Sequence, residues 1–329
     1  DVMRLAGAAG LEAIPTGIAH GTITLVVAGT PYEVTTFRRD VETDGRRAVV
    51  AYADSIEEDA LRRDFTMNAL YAVRDGSVLD PVGTGIADLA AGFVRFVGHP
   101  ADRLKEDYLR ILRFFRFQAW FGSPESGFDP EALAAISANA DGLDSVSAER
   151  LGHEMRRLLD APDPVTAVAG MARAGVLGRV LPGASEAALG PLVHLESDTG
   201  TSPDWRRRLA AIGGQEAPDT LRLSRAEAKH VDTLRTAAGS PMGPAELGYR
   251  LGHDIARDVV LLRAATQSGF VPEGAFAAVK SGAAASYPVS AKDLMPDSSG
   301  PALGARLQEL EDRWIASGFT LTRDALLKS

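Results

Sequence analysis

The stretch "RLKEDYLRILRFFRFQAWFG", residues 103–122, decides how this chain is to be read. At about 100° per residue, Leu104, Tyr108, Ile111, Leu112 and Phe115 share one helical face. Arg103, Glu106, Asp107, Arg110 and Arg113 share the opposite face, with Arg116 at its edge. The spacing predicts one helix over 101–121. From there to the C-terminus nearly every segment keeps helical periodicity, broken by Gly and Pro. Helices are expected at 130–139, 147–160, 164–174, 204–212, 224–237, 244–252, 254–267, 272–280 and 301–317. Linkers are expected at 183–191 and in the Ser/Pro stretches around 281–300.

Before His99 the texture differs. Residues 1–10 read as a helix end closed by Gly10. "GTITLVVAG" (21–29) and "PYEVTTFRRD" (31–40) alternate and carry many β-branched residues, which predicts a hairpin turning at Gly29-Thr30-Pro31. Residues 42–60 are polar and acidic and read as a mobile loop around a short strand. "FTMNALYAV" (65–73) reads as the start of a helix or a buried run. Residues 76–98 read as short strand, Gly-rich turn, helical turn and short strand. The fold class expected is α+β: an α/β head over 1–98, then an all-α remainder.

Composition narrows the function. The 329 residues carry a net charge of −9, which argues against a general positive coat but allows a local basic patch. With no cysteine, disulfides, zinc-thiolate sites and cysteine nucleophiles are excluded. A reducing, cytoplasmic setting fits, and no apolar run approaches membrane-spanning length. No GxSxG elbow, HExxH, Walker glycine loop or Rossmann fingerprint occurs. The six histidines have no ligand spacing.

Several clusters admit two readings. In "EEDALRRDFTMNALYAV" (57–73), Arg62 and Arg63 either chelate a triphosphate or stay solvated while Asp64 caps a following helix. Glu33 is either a solvent-facing strand carboxylate or a ligand to magnesium. Asp107 and Arg110 either belong to a helix face laced with ion pairs or read a base. An aspartate accepts and an arginine donates, which complements the amino donor and ring-nitrogen acceptor of cytosine or adenine. Guanine and uracil offer the reverse pattern. His20, between glycines, is a turn residue or lies near a phosphate. Ser147 caps a helix whose Arg150 and Glu154 read as structural. Arg156-Arg157 and "DWRRRLA" (204–210) are RNA-phosphate contacts or solvated surface.

Together these segments resemble the class II tRNA nucleotidyltransferases and bacterial poly(A) polymerases, most closely the CCA-adding enzymes. The resemblance is carried by "GIAHGTITLVV", "YEVTTFRRDVETDGR", "RRDFTMNALYAV", "VRFVGHPADRLKEDYLRILRFFRF" and "SVSAERLGHEMRRLL", in the expected order over roughly residues 1–160. It implies a nucleotidyltransferase head (1–98), a helical neck that recognises the base (99–160) and an all-α body and tail that hold tRNA (161–329). It implies that Arg63, with Arg62, Asp64 and Asn68 beside it, contacts the nucleoside triphosphate. Asp107 and Arg110 would read the base of CTP or ATP, and Arg113 and Arg116 would support the nucleotide. Glu33 would be the third acid of a Mg2+ site. Residues 42–60 would be the loop associated with the switch from CTP to ATP, favouring full CCA addition over CC addition. A poly(A) polymerase and a non-catalytic RNA-binding remnant are the alternatives. The family's Gly-Gly-x-Val-Arg-Asp stretch and Asp-x-Asp pair do not occur in the chain. They would fall just before Asp1, which reads as mid-helix. The expectation is therefore a missing upstream portion and a chain without competent metal binding by itself.

Overall fold

The computed structural model describes residues 1–17, 21–44, 47–295 and 300–328. Two compact units emerge: Asp1–Gly183 with Gln215–Arg222, and Ala184–Gly214 with Leu223–Ser329. The α+β class expected from the sequence holds, with a sheet-bearing N-terminal part followed by helices.

In the first unit, α1 (Val2–Ala8) ends at Gly10, whose φ of +71° lets Leu11 N–H return to the Ala6 carbonyl at 2.9 Å. Strands β1 (Glu12–Gly17), β2 (Thr22–Val27) and β3 (Thr30–Thr35) form an antiparallel sheet in that order. The β2–β3 turn is Ala28-Gly29, closed by the Val27–Thr30 pair. Both turn residues have positive φ, 50° and 81°, the twist a two-residue hairpin favours. The turn therefore precedes the expected one, and Pro31 sits in an edge strand, where a missing N–H is tolerated. His20 lies outside the described residues.

Residues 42–60 also differ from expectation. Strands β4 (Arg38–Asp44) and β5 (Arg47–Tyr52) pair antiparallel, with an irregularity between Asp40 and Glu42. Helix α2 (Ile56–Leu61) follows, and its Ser55 cap accepts the Glu58 N–H at 3.2 Å. All the acids of this segment except Asp54 are strand or helix residues. Glu57, Glu58 and Asp59 occupy the first turn of α2, where carboxylates face the positive end of the helix dipole.

"FTMNALYAV" forms no long helix. Thr66–Asn68 make one 3-10 turn, and β6 (Tyr71–Ala72) pairs with β7 (Val78–Leu79). The cause is a bridge between Phe65 and Phe96: Thr66 N–H donates to the Arg95 carbonyl and Val97 N–H to the Asp64 carbonyl, each at 3.0 Å. Those bonds hold residues 64–66 extended. Arg62 and Arg63 thus end a helix, with Arg62 as the C-cap of α2.

After α3 (Gly85–Ala91), the helix expected over 101–121 is two, α4 (Pro100–Glu106) and α5 (Arg110–Phe121). Asp107 is extended, with φ −158° and ψ 104°. Its carboxylate accepts the Leu109 N–H at 3.1 Å, and its carbonyl accepts the Arg110 N–H at 3.0 Å. A short acid that can bond its neighbours' amides favours a helix start over a helix interior. Helix α5 buries Ile111, Leu112, Phe114 and Phe115 completely. Phe65, also fully buried, lies 5.0 Å from Phe96 and 4.8 Å from Phe117 between ring centroids. Helices α6 (Pro130–Ala138), α7 (Ala148–Leu159), α8 (Val165–Arg173) and α9 (Val176–Val180) continue this unit.

The expected linker 183–191 runs into α10 (Leu189–Asp198), which belongs with α11 (Trp205–Ile212) to the second unit. The short α12 (Ala217–Thr220) returns to the first unit. The second unit then holds α13 (Arg225–Ala238), α14 (Pro244–Leu251), α15 (His253–Arg263), α16 (Ala275–Ala284), α17 (Gly300–Ala316) and α18 (Arg323–Leu327). Leu192, Leu234, Leu247, Val259 and Val279 centre its core. Neither reading of "DWRRRLA" holds for Arg207 and Arg208, because both are buried. Arg207 donates to Glu196 at 2.9 Å and to Asp258 at 2.6 Å, and Arg208 donates to Glu196 at 2.7 Å. Burial pushes the Asp258 carboxyl up, against the pull of Arg207.

Helices α14 and α16 meet backbone to backbone through Gly248 and Gly282. A Cβ on Gly282 would stand 1.8 Å from the Ala245 carbonyl oxygen, and one on Gly248 2.1 Å from that of Val279. Gly282→Ala is expected to destabilise the second unit by about 1–3 kcal/mol. A lowered urea midpoint at unchanged slope would record it; an unchanged midpoint would mean the helices separate freely.

Candidate nucleotide-binding site

Asp59, on α2, is the buried centre of the arginine pair. Its spacing puts it three and four residues before Arg62 and Arg63, on the same helical face. Arg62 Nε donates to Asp59 Oδ1 at 3.0 Å. Arg63 reaches Oδ2 through Nε at 3.2 Å and Nη2 at 3.1 Å. The Tyr71 hydroxyl donates to the same oxygen at 2.8 Å, and the Arg38 amide to Oδ1 at 3.1 Å. Burial works to raise the Asp59 pKa, but the bonds from Tyr71, Arg62 and the Arg38 amide outweigh it and hold the carboxyl below its ordinary value. Burial and the bond to Asp59 push the Tyr71 hydroxyl up to about 12. Arg63 also lies 4.7 Å above the Tyr71 ring and donates to the Asn68 carbonyl at 3.1 Å.

Asp64 links this cluster to α5. One carboxylate oxygen accepts the Phe65 amide at 3.0 Å and Asn68 Nδ2 at 2.8 Å. The other accepts Arg113 Nε at 2.7 Å and Nη2 at 2.5 Å. Asp64 thus caps no helix: the 3-10 turn that follows has Phe65 at its cap position and no side-chain cap bond, and the Asp64 carboxylate is taken up by Arg113 and Asn68. Glu154 on α7 accepts Arg116 Nε at 2.5 Å and lies 3.7 Å from Arg113 Nη1. Arg116, expected at the helix edge, is buried with this partner.

Arg110 Nη1 donates to Glu106 and to the Arg103 carbonyl, and Nη2 to the Arg62 carbonyl at 3.2 Å. Arg103 reaches the Leu61 carbonyl at 3.1 Å. Two cations from α4 and α5 therefore satisfy the last carbonyls of α2, where a helix leaves acceptors open. Asp107 Oδ2 accepts Arg150 Nη2 at 2.6 Å. Ser147 begins α7 without a side-chain cap bond.

The structure thus gathers Arg62, Arg63, Asp64, Asn68, Arg110 and Arg113 around the end of α2, with Arg116 linked through Glu154. Asn68, Arg113 and Arg116 line one cavity of about 410 Å3. Glu33 stands apart, exposed on the edge strand β3 opposite Thr24. Among the described residues, no three His, Cys, Asp or Glu side chains gather as a metal site. Sequence reasoning missed Asp59 and Tyr71 as partners, whereas the ion pairs it allowed on the 103–113 face occur as Arg103–Glu106 and Arg110–Glu106, and Glu154, read as structural, is the buried partner of Arg116. The signal for Asp59 was its offset of three and four residues from the arginines.

A small antiparallel sheet leading into helices that carry paired acids and arginines defines a nucleotidyltransferase head with a helical extension. Comparison with known proteins agrees. A family model described as the poly A polymerase head domain matches residues 7–95. One described as a probable RNA and SrmB-binding site of polymerase A matches residues 127–187. Over 332 residues the chain is 33% identical to CCA tRNA nucleotidyltransferase 1, mitochondrial, of Mus musculus, covering 94% of this chain and 75% of the relative. It is 38% identical over 228 residues to the CCA-adding enzyme of Streptococcus gordonii, covering 66% of this chain and 56% of that one. The Bacillus stearothermophilus CCA-adding enzyme in complex with CTP matches with a TM-score of 0.71 at 26% identity, over 93% of this chain and 80% of its own. The chain belongs to the CCA-adding enzyme family of nucleotidyltransferases. The family implies a divalent metal. No helix among the described residues is long and apolar enough to cross a membrane.

Asp59→Asn is expected to cost about 2 kcal/mol at neutral pH, the worth of its charged hydrogen bonds. The depressed pKa sets the sign. Its contribution is fully present above the ordinary carboxylate value of about 4 and is lost as pH falls through the lower folded value. Urea unfolding of both proteins at pH 7 and pH 3 would report a gap that narrows on acidification. A gap independent of pH would contradict the assignment.

Proposed function

We propose that this chain carries the machinery for template-independent addition of C, C and A to the 3′ end of tRNA from CTP and ATP, with release of pyrophosphate. A cytoplasmic setting is part of the proposal. In this reading residues 1–98 act as the head, 99–160 as the base-reading neck, and 161–329 as the body and tail that hold tRNA. Support comes from the family and from one contact above all: the bond from Arg110 to the Arg62 carbonyl, which sets the base-reading candidate against the arginine pair.

The residues then divide the work. Arg63, braced by Asp59 and Tyr71, offers its guanidinium to the triphosphate, with Arg62 beside it. Asp107 exchanges Arg150 for the exocyclic amino group of cytosine or adenine. Arg110 stays fixed by Glu106 and two carbonyls, and its Nε–H, which has no partner among the described residues, faces the ring nitrogen. A donor already held in place pays little ordering entropy when the base arrives. Uracil and guanine present a carbonyl to Asp107 and a ring N–H to Arg110. Both contacts then fail, and unpaired polar groups are costly in a confined site.

Magnesium is the divalent ion we propose for the reaction. A pair of such ions takes several carboxylate oxygens, and the lone exposed Glu33 does not make up that donor set among the described residues.

The test pairs binding with products. Wild-type protein is expected to hold CTP and ATP more tightly than UTP and GTP, and Asp107→Ala to lower that ratio about tenfold, a loss of ~1.4 kcal/mol. Incubated with tRNA lacking its 3′ end and with CTP, ATP or both, a form of the protein supplied with the family's Asp-x-Asp carboxylates is expected to extend by C, C and A and stop. Unchanged discrimination in Asp107→Ala would refute base reading by this residue. Long A-only products would assign a poly(A) polymerase instead.

A further inference from the structure

The cavity beside α5 has an outer part that the base-reading machinery does not use. Its inner wall is Asn68 and Phe117, with Arg113 and Arg116 held by their acids. Its mouth is formed by Leu89, Phe121 and Arg157. Leu89 and Phe121 are each 49% exposed, and Trp120, which precedes Phe121 on α5 without lining the cavity, 44%. Single exposed apolar residues need no explanation, but an apolar and aromatic group at the rim of one cavity does. Trp120 Nε1 donates to the Arg157 carbonyl at 2.7 Å, which ties the aromatic end of α5 to the α7 residue carrying the cation.

Charge decides what fits. Arg113 and Arg116 are offset by Asp64 and Glu154. The Arg157 guanidinium has no acidic partner among the described residues, so three arginines set against two acids leave one positive charge at the mouth. A triphosphate brings several negative charges and would be poorly matched. A phosphodiester-linked nucleotide brings one, together with a planar base that can lie on Phe121. The volume of about 410 Å3 lies in the range of sites for single small ligands.

We propose that this mouth is a subsite for one unpaired nucleotide of the RNA strand being extended, its base stacked on Phe121 and its phosphate on Arg157. The inference rests on the reading of the chain as an RNA-extending nucleotidyltransferase and adds to it where the strand is held. Base–aromatic stacking tolerates any base, which suits an end whose identity changes from one addition to the next. Arg157 and Phe121 are then positioning residues for the acceptor strand.

The test uses the whole chain and a 5′-fluorescein-labelled single-stranded hexanucleotide RNA ending in two cytidines, read by fluorescence anisotropy. Phe121→Ala is expected to weaken RNA binding about tenfold, within the worth of one stacked base. Phe121→Leu, which keeps the bulk and guards against a folding artefact, is expected to weaken it nearly as much. Arg157→Ala is expected to weaken binding several-fold and to reduce the slope of log affinity against log salt by about 0.7, one phosphate contact on a single strand. Arg157→Lys should restore that slope. CTP affinity, measured in parallel by equilibrium dialysis, is expected to fall less than RNA affinity in every variant. Wild-type protein that fails to bind the RNA, or variants that bind it as wild type does, would overturn the proposal. Loss of CTP affinity in place of RNA affinity would also overturn it and make the occupant the free nucleotide. Discrimination between CTP and UTP by the wild type reports on Asp107 and Arg110 alone, so failure of base reading is seen separately.

Discussion

The contact between Asp64 and Arg113 is the constraint on which the rest of the first unit depends. Asp64 follows the arginine pair directly and is followed by Phe65, which sits wholly inside the aromatic core. Arg113 lies one turn into α5. Their two bonds, at 2.7 and 2.5 Å, join a segment anchored by Phe65 to the helix that carries the base-reading candidate. Breaking such a pair leaves a charge in a half-buried site, which costs several times what a surface pair is worth. The position of Arg62 and Arg63 relative to Arg110 therefore follows from packing between chain segments some fifty residues apart in sequence.

Nearly every cation of the candidate site is already held. Asp59 holds Arg62 and Arg63, Asp64 holds Arg113, Glu154 holds Arg116, and Glu106 holds Arg110. This arrangement lets a net acidic chain keep a local basic site without burying unpaired charge. It also fixes guanidinium orientation before the ligand arrives, which is how preorganised electrostatics gain their effect. Asp107 differs. Its partner Arg150 comes from α7 and is about half exposed, so a base docking at Asp107, as proposed, would meet a replaceable competitor there.

The sequence revealed the plan of the fold and much of the site, for definable reasons. Periodicity located most of the helices, and alternation located the β2–β3 hairpin, because both patterns record which side of an element is buried. It failed where a polar side chain overrides the pattern. Asp107 stops one helix and starts the next without disturbing the apolar stripe, so 101–121 read as continuous. Residues 65–73 carry the apolar content of a helix but start from a segment, 64–66, held extended by bonds to residues 95 and 97, a contact no local window contains. The acids of 42–60 looked like a loop because most of them lie on β4 and in the first turn of α2, where they interrupt the apolar pattern by which a strand or helix is recognised. Arg207 and Arg208 read as surface because the acids that allow their burial lie 11 to 51 residues away. In the candidate site the arginines were legible from type and spacing. Their assignment to particular carboxylates was not, since most of those pairings span separate elements.

A double-mutant cycle on Asp64 and Arg113 measures the central constraint most directly. Urea unfolding of the wild type, Asp64→Ala, Arg113→Ala and the double variant gives the coupling between the two residues. A structure organised by this pair predicts a coupling of at least ~1 kcal/mol, with the double variant little less stable than the worse single one. Effects that simply add, to within ~0.3 kcal/mol, would show that the arginine pair and α5 are held together by something else.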